Sequence, residues 1–482
     1  MPMYFHRAVL ALAVTAALGG CASVAPRPDS AGVDSLLIER GGQAVSTSPA
    51  LADSGSQLQA APMTADSAVQ FAMLHSPRLQ QEYARLGLAR ADVLEVVEIG
   101  NPRFSISRLR PESGSGSQLT TGIAMPIVDM LLLPARTRLA NADYQRTRFD
   151  IAAAILAVAS DVRAAWYTYA GAQQVAEMRA AVAQAAELSA ELAKRYYDAG
   201  NISELQLKQE QAAASEARIN AARSQAEALR ARLALNTIVG LSGPAADWKI
   251  ADRLPQPATR EDDPAELQDL AQRNNLELLA ARQELEVAAA ALASTRHWRW
   301  LGGSEIGYER EREVDGSRIK GPTLALELPI FNQGQARLAR AEAVLAQANA
   351  RLAQAELGAD NAVRLGAERV RILRQVVATH RDALIPQREA VLARSQEQQN
   401  FMLIGVFELI QAKSREFDAY QSYLEAVRDY WLARVDLTRA VGQRLPSDSA
   451  ITSGTPSVQE IVKPGSAIEQ ADTHQHHSGD QP

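Results

Sequence analysis

What most constrains this chain is an internal repetition at an offset of about 200 residues. Phe71-Ala-Met-Leu-His-Ser-Pro-Arg-Leu79 lines up with Leu270-Ala-Gln-Arg-Asn-Asn-Leu-Glu-Leu278, and Met125-Pro-Ile-Val-Asp129 with Leu328-Pro-Ile-Phe-Asn332. Ser203-Glu-Leu205 lines up with Phe407-Glu-Leu409. Each half predicts the same order: a moderate helix, two short strands, a very long helix, a break and a second long helix. A length of 482 residues alone suggests about three domains. The repetition replaces that expectation with one duplicated structure.

The helices are long and lean. From Ala135 to Ala199 there is no Pro and a single Gly, Gly171; at 1.5 Å per residue this predicts a helix on the order of 100 Å. Ile219, Ala222, Ala226, Leu229 and Leu233 recur at alternating three- and four-residue steps, as do Leu338, Ala341, Leu345, Ala348 and Leu352. Phe417, Tyr420, Leu424, Val427 and Trp431 form a third such stripe. This spacing is that of a coiled-coil seam, read here as core packing. Aromatics are 5% of the chain while the wider hydrophobic class reaches 47%. Small aliphatics therefore carry the apolar content, as in closely packed long helices. Pro134 fits a first-turn position, Gly200-Asn201 a left-handed C-cap, and Ser203 with Glu204 a helix start. Pro386 is expected to kink or interrupt its helix.

Between the moderate helix and each long helix the pattern changes period. Leu324, Leu326 and Leu328 alternate with Thr323, Ala325 and Glu327; Leu119, Thr121, Ile123 and Met125 alternate with Thr120, Gly122 and Ala124. Arg103 to Arg110, with Phe104 and Ile106, and Glu305 to Arg312, with Ile306 and Tyr308, are their partners across Gly/Ser- and Asp-Gly-Ser turns. Two readings are open: a hairpin lying on a globular core, or transmembrane barrel strands with lipid-facing and lumen-facing residues in alternation. Past residue 20 no stretch is apolar for 18 residues, so helices cannot be the spanning element. Four strands are too few to close a barrel; three copies would supply twelve.

The first residues read as an export signal: Arg7, an apolar run from Ala8 to Leu18, then Gly19-Gly20-Cys21. Leu18-Gly-Gly-Cys21 resembles a bacterial lipobox, which implies lipidation of Cys21; an ordinary signal with a chance Cys is the alternative. Cys21 is the chain's single Cys, which excludes disulfides and Cys-based metal sites. Ala22 at the following position favours outer-membrane sorting. With 50 Lys and Arg against 56 Asp and Glu, the net charge of −6 offers no case for nucleic acid. Nucleophile elbows, phosphate loops and paired-His metal helices are absent from the sequence, so neither an enzyme nor a cofactor is expected. The predicted organisation is a lipoprotein signal peptide (1–20), a flexible lipidated tether (21–61), two repeats (62–250 and 251–446) and a disordered His-containing tail (447–482).

These features together resemble the TolC-type outer-membrane factors, here a lipoprotein member, from about Met63 to Pro446. The resemblance rests on the duplication, the strand-ending Met125-Pro-Ile-Val and Leu328-Pro-Ile-Phe, and two helix-hairpin tips, Ala199-Gly-Asn-Ile-Ser-Glu-Leu205 and Leu403-Ile-Gly-Val-Phe-Glu-Leu409. It implies a mainly α fold with a small β part: a homotrimer with a twelve-stranded barrel in the outer membrane of a Gram-negative bacterium and a periplasmic coiled-coil tunnel. It further implies an exit duct served by an inner-membrane pump of the RND type and a periplasmic membrane-fusion adaptor. That adaptor would dock on Gly200, Asn201, Ile202, Ser203, Leu205, Ile404, Gly405, Val406, Phe407 and Leu409.

Glu204 and Glu408 occupy corresponding places near the tips, and three-fold symmetry would make each a ring of three carboxylates, with Gln411 where some relatives carry a further acid. Helix N-terminal acids that merely satisfy the dipole are the plainer reading. Leu328-Pro-Ile-Phe-Asn-Gln-Gly-Gln335 and Asn400-Phe-Met-Leu-Ile-Gly-Val-Phe407 look most like the heavy-metal efflux branch. His474, His476 and His477 would suit loose binding of Cu(II), Zn or Ni, or are a biased tail. Export of drugs or polypeptides through the same architecture, and a periplasmic coiled-coil lipoprotein that never spans the membrane, are the alternatives.

Overall fold

A computed structural model describes residues 30–40, 62–98, 100–110, 112, 116–246, 248–250, 253–298, 300, 303–450 and 454–462. Cys21, the signal segment and His474, His476 and His477 lie outside the described residues. The chain divides into two units, one containing Tyr83–Tyr144 and Gly302–Glu327, the other Ser30–Glu82, Gln145–Leu301 and the chain from Leu328 onward.

The first unit is built on an antiparallel sheet of β1 (Arg103–Leu109), β2 (Gln118–Pro126), β3 (Glu305–Arg312) and β4 (Arg318–Ala325), in that spatial order. The first hairpin is the one expected from alternation; in the second, β4 ends at Ala325, so Leu326, Glu327 and Leu328 of the expected Thr323–Leu328 run lie past the strand. The union of the two hairpins through β2 and β3, with Ile123 opposite Tyr308 and Met125 opposite Ile306, follows from no local signal. Asp315 accepts the Ser317 N–H at 2.8 Å to shape the second turn.

The second unit is helical: α1 (Ser30–Glu39), α2 (Ala65–His75), α5 (Glu204–Val239), α6 (Pro264–Asn274), α7 (Leu276–Trp298), α8 (Gln335–Thr379), α9 (Ile385–Asn400), α10 (Val406–Val441) and α11 (Val458–Val462). Two further helices, α3 (Pro77–Val97) and α4 (Ile127–Asp198), contribute residues to both units. Among the described residues no helix is long and apolar enough to cross a membrane.

Each moderate helix expected from sequence is two helices. Ser76 ends α2 by donating its N–H to the Ala72 carbonyl at 2.9 Å, and Pro77 opens α3, where a missing N–H costs nothing. Asn275 does the same between α6 and α7, and its side-chain oxygen also accepts the Leu278 N–H. The left-handed C-caps of α5 and α10, Gly240 (φ 86°) and Gly442 (φ 80°), each sit against one of these breaks. A Cβ on Gly240 would lie 2.5 Å from the His75 carbonyl oxygen, and one on Gly442 would lie 2.8 Å from that of Asn274. Only glycine meets both demands, a positive φ and a backbone in contact.

The few aromatics concentrate around α4 and α10. Tyr167 stacks on Trp431 at 5.2 Å, and the indole N–H groups of Trp166, Trp248 and Trp431 donate to the Met63 carbonyl, Asn236 and the Pro255 carbonyl. Beside them Arg434, 2% exposed, pairs with Glu261 and Asp448 (2.6 Å) and donates to Ser447. Burial opposes the charge on Arg434, but Tyr430, Asp448 and Glu261 together outweigh it and raise its pKa above the ordinary value. The charge is permanent, and it ties the loop at Glu261 and the segment at Asp448 to α10.

Several expectations need correction. Pro134 is not in a first turn: α4 begins at Ile127, directly after β2, so Pro134 lies inside the helix. The expected break at Pro386 takes the form of a π turn at His380–Leu384, in which the Ile385 N–H reaches back to His380. The extra residue accommodates a proline that cannot donate. Part of the tether is helical: α1 buries Val33 and Leu37, and the Arg40 carbonyl accepts the Arg444 N–H. Parts of the expected disordered tail are structured, at Pro446–Ala450 and over 454–462. Gly454 bridges to Pro255, and a reciprocal Ser457–Glu460 capping box starts α11, whose Ile461 packs on Met178 and Phe417. That Ser-x-x-Glu signal is present in the sequence.

The coiled-coil seams also differ from one another. Phe417, Leu424, Val427 and Trp431 are core, as expected. The α5 stripe of Ile219, Ala222, Ala226, Leu229 and Leu233 is exposed, and α5 instead buries Ala228, Ala231 and Leu235.

Replacing Gly240 or Gly442 by Ala is expected to destabilise the protein by roughly 1–2 kcal/mol or more. Gly358, in the interior of α8 with open space around it, should tolerate Ala with a gain of about 0.5–1 kcal/mol. Urea midpoints followed by helix dichroism check the opposite signs.

Candidate docking tips and a two-faced sheet

The sheet register sorts its side chains by chemistry. Cross-strand partners share a face, and so do residues two apart along one strand. One face carries Phe104, Ile123, Tyr308 and Pro322 in one row and Met125, Ile306 and Leu324 in the next. Phe104, Ile123 and Tyr308 of the first row are 70%, 50% and 47% exposed and Leu324 of the second is 62% exposed, so no described residue covers these rows. The other face carries Ser105, Gly122, Glu309 and Gly321 in register, then Ser107, Thr120, Glu311 and Ile319. A Cβ on Gly122 would meet Ser105 and Glu309, and one on Gly307 would meet Thr323, which confirms that grouping. On the polar face Arg103 pairs with Glu305 at 2.9 Å and Gln118 donates to Glu311.

The first tip joins α4 to α5. The Gly200 N–H donates to Tyr197 and the Asn201 N–H to Tyr196, both at 2.8 Å, and the chain turns through Gly200 at φ 74°. Ser203 caps α5, its hydroxyl accepting the Gln206 N–H at 3.3 Å, with Glu204 in the first turn. Below the tip, Ser189 donates to Glu210 across the helix pair at 2.7 Å.

The second tip joins α9 to α10 and has a different character. Phe401, Met402 and Leu403 are 77%, 92% and 72% exposed. Met402 holds φ 58°, a left-handed conformation uncommon for any residue but glycine. Gly405 precedes α10 without a side-chain cap, and Glu408 lies in its first turn. Further along this hairpin Tyr420 donates to Glu389 at 2.5 Å; burial, then that bond, push its hydroxyl pKa well up, so it remains a donor.

An edge-to-face contact between Tyr196 and Phe407, with ring centroids 6.3 Å apart, brings the two tips together. Glu204, Glu408 and Gln411 are all exposed, as are Gly200, Asn201, Ser203, Leu205 and Gly405; Ile202, Ile404, Val406, Phe407 and Leu409 are half-buried. Phe401, Met402 and Leu403 are not among the residues that sequence reasoning selects for docking. Three consecutive apolar residues between two helices are the signal that marks them.

Residues 68–241 match the family model described as Outer membrane efflux protein. No curated protein sequence matches the chain. Among solved structures, the Campylobacter jejuni CmeC outer membrane channel superposes with a TM-score of 0.68 at 13% identity, covering 80% of this chain and 86% of that one. A membrane protein from Pseudomonas aeruginosa gives 0.64 at 21% identity (78% and 93%). The outer membrane protein VceC from Vibrio cholerae gives 0.64 at 17% identity (79% and 96%). The chain therefore has the fold of these three proteins.

A double-mutant cycle on Tyr196→Ala and Phe407→Ala is expected to give a coupling of about 0.5–1.5 kcal/mol. Hydrogen exchange at the amides of residues 204–208 reads it, and strict additivity would mean that the tips are independent.

Proposed function

We propose that this chain is one protomer of a homotrimeric outer-membrane duct, the exit of a tripartite efflux system, passing heavy-metal cations delivered by an inner-membrane pump and a periplasmic adaptor. One observation carries the reading: a sheet with one apolar face and one polar face, both of whose edge strands find no partner among the described residues. A sheet in lipid must close, because open edges cannot be satisfied there. Three copies give twelve strands, with the row of Phe104, Ile123 and Tyr308 toward lipid and that of Ser105, Gly122 and Glu309 toward the lumen. The exposed α5 stripe, with Leu357, Leu365 and Ile372 of α8, supplies apolar surface for neighbouring copies in a helical tunnel. The match to an efflux-protein family supports a non-enzymatic role.

In this reading the tips meet the adaptor, with Phe401, Met402 and Leu403 as an apolar knob beside the polar Gly200-Asn201 turn. Glu204 and Glu408 then form two carboxylate rings at the constriction, a cation-favouring arrangement, with Gln411 beside them. Cys21 carries the acyl chains; the heavy-metal cargo rests on the resemblance of the second-half motifs, and His474, His476 and His477 are loose metal ligands at most.

Two experiments test this. Ile306→Arg, on the apolar face, is expected to cost about 2–4 kcal/mol toward the bilayer midplane, removing heat-sensitive trimers from outer-membrane fractions. Thr323→Arg, on the opposite face, should leave them. Equal tolerance of the two, or a carbonate-extractable monomer in the wild type, would overturn the spanning reading in favour of a periplasmic lipoprotein. Deletion should sensitise cells to Cu, Zn, Co or Cd; unchanged metal tolerance with new dye or antibiotic sensitivity would move the cargo to drugs.

A further inference from the structure

Beyond the apolar rows, the same face of the sheet changes sign toward its hairpin turns. The row next to Phe104, Ile123, Tyr308 and Pro322 reads Ile106, Thr121, Arg310 and Lys320; the row after that reads Arg108, Leu119, Arg312 and Arg318. At about 6.7 Å for two residues along a strand, the basic rows occupy the last turnward stretch above an apolar band. We propose that Arg108, Arg310, Arg312, Arg318 and Lys320 bind the phosphorylated headgroups of outer-leaflet lipid, a lipid A-type diphosphate surface. The proposal rests on the barrel reading, which turns this face to the membrane.

Three observations carry it. First, the charges are sorted by face within a single strand. In Glu305-Ile-Gly-Tyr-Glu-Arg-Glu-Arg312 the carboxylates of Glu305, Glu309 and Glu311 fall on the polar face, while Arg310 and Arg312 fall on the apolar one. Neighbours in sequence are thus kept from neutralising each other. Second, the basic side chains are all exposed, and none of the five makes an ion pair among the described residues; Arg108 touches only the Ser117 hydroxyl, at 3.4 Å. Third, Arg310 stands directly opposite Lys320 and Arg312 directly opposite Arg318. Like charges in directly opposed positions destabilise a sheet, unless an anion lies between them. Guanidinium groups match phosphate oxygens in a two-pronged geometry, and a phosphate over each pair turns the repulsion into a shared site. Tyr308, beside the Arg310 row, has the amphipathic body that suits the boundary between acyl chains and headgroups.

The test uses the full-length protein in mild detergent, titrated with bisphosphorylated lipid A and read by native mass spectrometry of the intact assembly. The expected result is salt-sensitive binding that falls at least tenfold in the R310Q/R312Q/R318Q/K320Q variant and on removal of the lipid's phosphates. The opposite-face E309Q/E311Q variant should bind as the wild type does. Single variants Arg312→Gln and Arg318→Gln, which relieve like-charge pairs, should show graded losses, and these decide the outcome if the quadruple variant does not assemble. Equal binding by wild type and variants, equal binding of dephosphorylated lipid A, or full competition by inorganic phosphate would overturn the lipid site. The assembly's mass is read in the same spectra. A monomeric wild type would refute the duct and this proposal together; a trimer with unaltered lipid binding in the variants would refute this proposal alone.

Discussion

The proposed duct turns on a sheet with two open edges. β1 and β4 each present one side with no partner among the described residues, and the rows of Phe104, Ile123 and Tyr308 and of Met125, Ile306 and Leu324 form an apolar band that no described residue covers. In water such a sheet is an aggregation template. In lipid its apolar face is welcome, but its open edges are not. In the proposed trimer, further copies would remove both faults at once and would give the exposed apolar stripes on α5 and α8 neighbours to pack on. Closure of the sheet and burial of the stripes would then be two consequences of one association.

The helical unit is built to hold its own shape while leaving those stripes free. Its aromatic cluster around Tyr167 and Trp431 and the charged knot at Arg434 lie where the loop at Glu261 and the ordered start of the tail meet α10. Removing one partner of a buried pair typically costs about 3–5 kcal/mol, so Arg434 makes this belt a fixed collar. The two glycine caps at Gly240 and Gly442 close the long hairpins onto the breaks at Ser76 and Asn275 in the same way. Rigidity there leaves the tips, held by the Tyr196–Phe407 contact, as the exposed ends at which the proposed adaptor would dock.

Much of this is legible in local chemistry. The period-two alternation assigns the strand faces correctly, because a strand's side-chain period allows only two outcomes. The Gly200 and Ser203 caps follow from residue type alone, because their backbone demands are local. Non-local choices are not legible. The pairing of β2 with β3 brings together segments far apart in sequence, and no turn residue announces it. The side toward which the Ile219–Leu233 stripe faces depends on how many chains are present, which periodicity does not encode. Pro134 misleads because Pro126 and Ile127 carry no cap signal, which leaves the wrong proline as the nearest marker of a helix start. The ordered segment from Gly454 to Val462 is hidden by a Ser/Gly/Pro-rich composition, although its Ser457–Glu460 box is in plain view. Exposure of Phe401, Met402 and Leu403 emerges only once both helix ends are fixed.

The most direct measurement is the protein mass of the assembly extracted from membranes in mild detergent, with the detergent contribution subtracted. Three chains per particle are expected, because three copies would close a twelve-stranded barrel and give the stripes on α5 and α8 neighbouring helices to pack on. A particle containing a single chain, with its sheet edges open and the α5 stripe still accessible, would contradict the central claim.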